Sequence, residues 1–313
     1  MHCAIEWQTD IRAEDWEKLF RRCQQTTLLQ SYPYAQAMRE VHKQGVRHGI
    51  IYINGDEAGI VQMQEVGLLK QMIHAISVDR GPLWFKGYGS AEHVNAFARA
   101  LNRLYPDRLG RKRRFLPEIQ QGNAKITLDF WKKSQATRDY KTIMVDLTPS
   151  IENIKKNFQK NWRNALTKSE KNKLTVTLDN DLDYLGGFLM NYIKDRVKKR
   201  YAGASPKFLS ALSKYAAMQN ECLLMVASED GEVIASILVY QHAHGATYQA
   251  GWTTPYGREK GAHHLLLWNA IVELKKRGVT HFDLGGYNDE TTGIQTFKEG
   301  LGGQNIALIG SYY

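Results

Sequence analysis

The sequence predicts an α+β protein of two tandem, duplicated lobes, each a mixed β-sheet flanked by helices. Three observations carry this: a weak internal repeat, a break near the middle, and enough chain for two cores. At roughly 100–200 residues per domain, the 313 residues suggest two domains. Apolar residues make up 43% and charged residues 24%, the composition of a soluble globular protein.

The repeat begins with a hairpin. Ile50–Ile53, the turn Asn54-Gly55-Asp56-Glu57 and Ala58–Met63 read as strand, turn, strand. Leu224–Ala227, Ser228–Glu232 and Val233–Tyr240 read the same way. Asn-Gly and Asp-Gly favour tight hairpins because they accept positive φ. Further apolar segments follow, ending in Gly81-Pro82-Leu83-Trp84 in one copy and running over Ala246–Trp252 in the other. Each copy then has a helical stripe: Val94, Phe97, Ala98, Leu101 and Leu104, and Leu266, Leu267, Ala270, Ile271 and Leu274. Lys275-Lys276-Arg277-Gly278 suits a helix end, with cations at the negative dipole end and glycine at C′. A strand returns near Phe115–Ile119 and at Thr280–Leu284. Thr148-Pro149-Ser150 breaks the chain before a helix at Ile151, so the lobes are placed at 1–147 and 148–313, with the active site in the second.

Apolar runs are all shorter than the ~20 residues a spanning helix needs, and no signal peptide is visible, so the protein is expected to be soluble and cytoplasmic. The three cysteines, Cys3, Cys23 and Cys222, lack Cys-x-x-Cys spacing, which argues against a disulfide framework or structural zinc. No metal is expected either from His263-His264, which point to two faces of a helix, or from His242 and His244. The net charge of +10 points to anionic partners: nucleic acid, a phosphorylated substrate or an anionic membrane surface.

Three regions can carry chemistry. Lys155–Lys173 has seven basic residues and one acidic, with Trp162 and Arg163 in its middle. As a helix it would dock through Phe158, Trp162, Ala165 and Leu166 and turn its cations outward, towards phosphates or an RNA backbone. A second basic cluster holds Arg196 and Arg200 with Tyr201 beside them. The third runs from Phe282-Asp283-Leu284-Gly285-Gly286-Tyr287 to Phe297-Lys298-Glu299-Gly300-Leu301-Gly302. Paired glycines at a strand end let a ligand approach the backbone, and a nearby lysine can stabilise an oxyanion.

This last segment resembles the C-terminal signature of the Fem-type transferases (FemA, FemB, FemX). So do the helix Leu265–Ile271, the stretch Asn161–Lys171, and Leu29-Gln30-Ser31-Tyr32-Pro33-Tyr34 near the N-terminus. The resemblance covers nearly the whole chain. It implies two GNAT-like lobes and transfer of an amino acid from aminoacyl-tRNA to an amine of a peptidoglycan precursor or related peptide. The partners implied are aminoacyl-tRNA and an anionic nucleotide- or lipid-linked muramyl-peptide, with no further cofactor. Lys298 would act near the ester carbonyl, and Arg200, or Arg196, would contact precursor phosphate. The family's phosphate-holding lysine falls on Met38, which leaves the acceptor open.

The cleft would lie between the strand carrying Tyr248, Gly251 and Trp252 and the strand ending at Asp283, rimmed by Gly285, Gly286, Tyr287 and Phe297. Asp283 is a candidate base or a cap of the glycine pair; the substrate's phosphate or a ribose hydroxyl are alternatives. Two rival functions stand. One is acyl-CoA-dependent N-acyl transfer to an amino sugar or small peptide, although Arg258-Glu259-Lys260-Gly261-Ala262-His263 puts histidine where close approach to pyrophosphate needs a small residue. The other is a non-catalytic module gripping tRNA or another anion.

Overall fold

Asn54-Gly55 and Asp230-Gly231 are the hairpin turns expected of them: all four residues have positive φ, between 50° and 99°. Around them the computed structural model describes residues 1–68, 72–122, 126–135, 139–287 and 292–313. The chain divides into two compact units, Met1–Lys141 with Ile306–Tyr313, and Thr142–Asn305.

The first unit runs β1 (Cys3–Gln8), α1 (Ala13–Arg21), a 3-10 turn (Leu28–Gln30), α2 (Tyr32–His42), β2 (Gly45–Ile53), β3 (Asp56–Leu68), β4 (Ile73–Asp79), β5 (Leu83–Trp84), α3 (Ala91–Leu104) and β6 (Arg111–Leu116). Its sheet has the order β1-β2-β3-β4-β6, with β5 beside β3. Gln30, from the motif near the N-terminus, is a buried staple. Its amide donates to the Gln62 and Asp79 carbonyls, at 3.0 and 2.8 Å, and accepts from Gln62 N at 2.6 Å. Met38 is part of the core at 9% exposure, and Arg39 donates to the Val46 carbonyl.

The second unit runs β7 (Lys141–Asp146), α4 (Ile151–Asn157), α5 (Lys160–Glu170), β8 (Thr175–Asp179), α6 (Leu185–Lys199), α7 (Pro206–Ala217), β9 (Cys222–Glu229), β10 (Glu232–His242), β11 (Gly245–Thr253), α8 (Pro255–Glu259), α9 (Ala262–Lys276), β12 (His281–Asp283), α10 (Thr292–Glu299) and β13 (Gln304–Ala307). Its sheet has the order β13-β7-β12-β11-β10-β9-β8. The run β8-β9-β10-β11-β12 repeats β1-β2-β3-β4-β6, with the same antiparallel pairs followed by a parallel one. The tandem α+β architecture read from the repeat is therefore present.

The boundary differs from the sequence reading. Instead of 147/148, it falls at Lys141/Thr142, because β7 pairs antiparallel with β12 and so belongs to the second sheet. The segment Ile306–Tyr313, read as part of the second lobe, belongs to the first unit. There Phe115 and Tyr312 exchange both backbone hydrogen bonds at 2.8 Å. Leu104, assigned to the α3 stripe, is 47% exposed, and the next residue, Tyr105, is buried instead.

The parallel pair distinguishes the two sheets. In the first, β4 and β6 stay paired from His74–Arg111 to Asp79–Leu116. In the second, β11 and β12 pair only from Gly245–His281 to Thr247–Asp283, while β11 continues to Thr253. Where they part, β11 bulges: Leu238 faces Ala250 but Val239 faces Tyr248, leaving Gln249 as the extra residue. Bulges of this kind re-aim side chains and recur beside active sites. Among the described residues, the gap in strand pairing lies in the second unit.

Candidate active site

The chain leaves β12 at Asp283, turns at Gly285 and returns through α10. Gly285 has φ of +75°, and a Cβ there would sit 2.7 Å from the Tyr248 carbonyl oxygen, so the turn requires glycine. Asp283 secures it. Its Oδ1 accepts from the Gly285 N–H at 2.8 Å and from the Thr142 hydroxyl. Thr142 also donates to the Gly285 carbonyl at 3.1 Å.

Lys298 reaches back from α10 to this turn. Its Nζ donates to the Gly285 and Gly286 carbonyls at 2.9 and 3.0 Å and lies 5.9 Å from the centre of the Tyr248 ring. The side chain is only 6% exposed. Burial pushes its ammonium down to about 8, opposed by the Asp283 carboxylate, so it is still mainly charged at neutral pH. An ammonium has three donors, and the two carbonyls take two.

Tyr248 stands on β11 at the bulge. Its hydroxyl lies against the Cα of Gly251, as does His263 Nε2, which would be 2.6 Å from a Cβ there. His263 Nε2 is buried and has no hydrogen-bond partner. Burial, then the neighbouring His264, Arg258 and Lys199, push His263 down to about 4; burial does the same to His264. Both are neutral at pH 7. Burial raises Tyr248 well above the ordinary phenol range, helped by Tyr201 and Asp195, so its hydroxyl keeps its proton.

The sequence-derived residues fall into separate groups. Lys298, Asp283, Gly285, Gly286 and Tyr248 come together, with Gly251 beneath the Tyr248 hydroxyl. Arg196, Arg200 and Tyr201 lie at the end of α6. Arg196 donates to the Gly203 and Ala204 carbonyls at 3.1 and 3.0 Å. Tyr201 donates to Asp195 at 3.4 Å, while Arg200 caps the helix in the left-handed region and is exposed. Tyr287 donates to Asn305 at 2.9 Å, and Trp252 is half-buried opposite Ser236 of β10.

Trp162 and Arg163 have structural settings. The Lys155–Lys173 stretch is two helices, broken at Phe158. Trp162 is 4% exposed, with ring centres 4.6 Å from Phe158, 4.9 Å from His264 and 6.2 Å from Phe297. A Cβ at Gly300 would come within 2.5 Å of its ring, so the motifs around Trp162 and Phe297 interlock. Arg163 turns inward rather than out, donating to the Lys156 carbonyl at 2.7 Å and to that of Phe158. It caps the end of α4.

Sequence reading missed Thr142, Asp195 and His263 as parts of this region. The i,i+4 spacing of Asp195 and Lys199, ion-paired at 2.8 Å, was a visible signal. Nothing local marked Thr142, whose partners lie 141 and 143 residues away. Among the described residues no group of three His, Cys, Asp or Glu is placed to hold a metal ion, and no helix is long and apolar enough to cross a membrane.

Comparison with known proteins bears on the fold. Residues 156–299 match the family model described as an acetyltransferase (GNAT) domain. The solved structure of FemX superposes with a TM-score of 0.81 at 13% identity, covering 100% of this chain and 96% of FemX. A conserved protein of unknown function from Bacteroides thetaiotaomicron gives 0.64 at 12% identity, covering 98% of each chain. A tandem GNAT protein from the clavulanic acid biosynthesis pathway gives 0.52 at 10%, covering 99% and 98%. No curated protein matches in sequence. The chain thus has the two-lobed, GNAT-like fold of FemX, and most of its second lobe matches the model of a GNAT acetyltransferase domain.

Proposed function

We propose that the chain transfers an amino acid from aminoacyl-tRNA to an amine of a peptidoglycan precursor or related peptide, in the cytoplasm where aminoacyl-tRNA is made. The observation that carries this reading is Lys298, an ammonium held at the gap between β11 and β12 with one N–H beyond its two carbonyl partners. An acceptor amine attacks the ester carbonyl in that gap. The carbonyl oxygen gains charge as the C–N bond forms, and the Lys298 ammonium and the Tyr248 hydroxyl are the donors nearest to it. The C–O bond then breaks, releasing the tRNA ribose hydroxyl, and the amine's proton passes to that oxygen or to a phosphate of the acceptor. Asp283 keeps the turn, and hence Lys298, in place. Arg200, exposed at the end of α6, is the candidate phosphate contact.

The match to an acetyltransferase domain favours a second reading, acyl transfer from acyl-CoA. The start of α9 weighs against it. A pyrophosphate needs open backbone N–H groups there, yet α5 lies across it. A Cβ at Gly261 would meet Ser169 at 3.1 Å, and Asn172 donates to the Lys260 carbonyl at 2.7 Å.

The deciding experiment supplies total bacterial tRNA charged with radiolabelled amino acids, together with a nucleotide- or lipid-linked muramyl-pentapeptide. Label on the peptide is expected and identifies the donor amino acid. Absence of transfer, with micromolar CoA affinity, would move the assignment to the second reading.

A further inference from the structure

A recess in the second lobe shares no lining residue with the Lys298 site. It has a volume of about 330 Å³, the lower end of the roughly 300–1,000 Å³ typical of ligand sites. One wall is α9, through Leu265, Trp268 and Asn269; the other runs from Glu170 along the segment entering β8. Along that segment Lys171, Lys173 and Thr175 are exposed, while Asn172, Leu174 and Val176 are half-buried and line the recess. Lys171 closes α5 in the right-handed helical region and the strand begins only at Thr175, so the exposed cations Lys171 and Lys173 flank the lining residues from the turn that joins α5 to β8.

The hydrogen bonds already made decide what the recess can accept. Asn172 Nδ2 donates to the Lys260 carbonyl at 2.7 Å, and Asn269 Nδ2 to the Leu265 carbonyl at 2.8 Å. These partners fix both amides, since a flip would set oxygen against oxygen. Their Oδ1 atoms remain as acceptors. Glu170 is also acceptor-only, with Lys155 held on one oxygen at 2.7 Å. Lys155 in turn lies 5.1 Å from the Trp268 ring centre. An aromatic wall, acceptor edges and flanking cations suit a flat base with an exocyclic amino group on a phosphate backbone.

We propose that this recess is a subsite for one unpaired, amino-bearing nucleotide, cytosine or adenine, of a single-stranded RNA segment whose backbone passes Lys171 and Lys173. The assignment rests on the tRNA-donor reading. Uracil, which presents an acceptor where cytosine presents an amino group, is disfavoured there.

The test is fluorescence anisotropy of labelled rC6 and rU6 at several salt concentrations. The pair differs at the edge the amides read. The wild-type protein should bind rC6 about ten-fold more tightly, within the discrimination expected of base-edge contacts. Asn269→Ala, which removes only a bond within its own helix besides the acceptor, should bring the ratio near one. Trp268→Ala should weaken both oligonucleotides. Lys171→Glu with Lys173→Glu should weaken both equally and flatten the slope of log K against log salt by ~1.4, or ~0.7 per single-strand phosphate. Equal binding of rC6 and rU6, or a preference that survives Asn269→Ala, overturns the subsite. If tRNA-dependent transfer persists in that case, the proposed function stands without it; absence of any RNA binding removes both.

Discussion

Lys298 shows how much one side chain depends on its setting. Removing a donor to a developing oxyanion costs roughly 2.7–4 kcal/mol, about 10²–10³ in rate. Lys298→Ala should lower single-turnover rates by that factor and leave circular dichroism unchanged. Because burial holds the ammonium near 8, wild-type turnover should fall as pH rises through about 8, and the variant should lose that limb. Stability carries a matching signature. The folded chain releases this proton near 8 and the unfolded chain near 10.5, so between those values the unfolded state holds more protons. This group's contribution to stability therefore rises with pH across that window; denaturant titrations of wild type and Lys298→Ala should diverge there. Arg163 makes the opposite case. The sequence places it in an outward-facing basic stretch, whereas its guanidinium serves two carbonyls at the end of α4. Arg163→Ala should cost about 1–3 kcal/mol, the penalty of stranded acceptors, and leave the salt dependence of RNA binding unchanged.

At the level of elements, the site exists because two strands separate. The bulge at Gln249 and the short pairing of β12 turn Tyr248 towards Lys298, and Gly251 leaves room for the Tyr248 hydroxyl. Gly251→Ala should displace that hydroxyl. Misplacement by about 1 Å can cost about 10² in rate, so turnover should fall steeply while the thermal midpoint moves little. The hairpins, the α9 stripe and the Gly285-Gly286 turn were legible because short-range chemistry dictates them: positive φ, helical period, a strand end. The Lys298 position was legible only through resemblance, since an isolated lysine on a short helix carries no local mark. β6 was read too far along the chain because Arg111, Lys112, Arg113 and Arg114 hide its start. Arg113 is buried, with its charge spread over Asn102, the Tyr105 and Phe130 carbonyls and the Trp131 ring.

For the whole molecule, the two sheets repeat one order of strands, yet only the second opens between its parallel pair. Under the proposed function, that difference is why the chemistry is placed in one copy. The segment Ile306–Tyr313 breaks the symmetry in another way. It supplies backbone partners to Phe115, Ile119, Lys132 and Ser134 of the first unit, a long-range pairing with no local signal in sequence. Deleting residues 308–313 should loosen β6, read as faster amide exchange from Arg113 to Leu116, while the second unit keeps its protection. Ribosomal synthesis gives this arrangement a temporal meaning. The unit begun first cannot be completed until the intervening lobe has been translated, so the earlier half must wait, partly assembled, for the later one, and a fragment ending at Lys141 would remain permanently at that waiting stage.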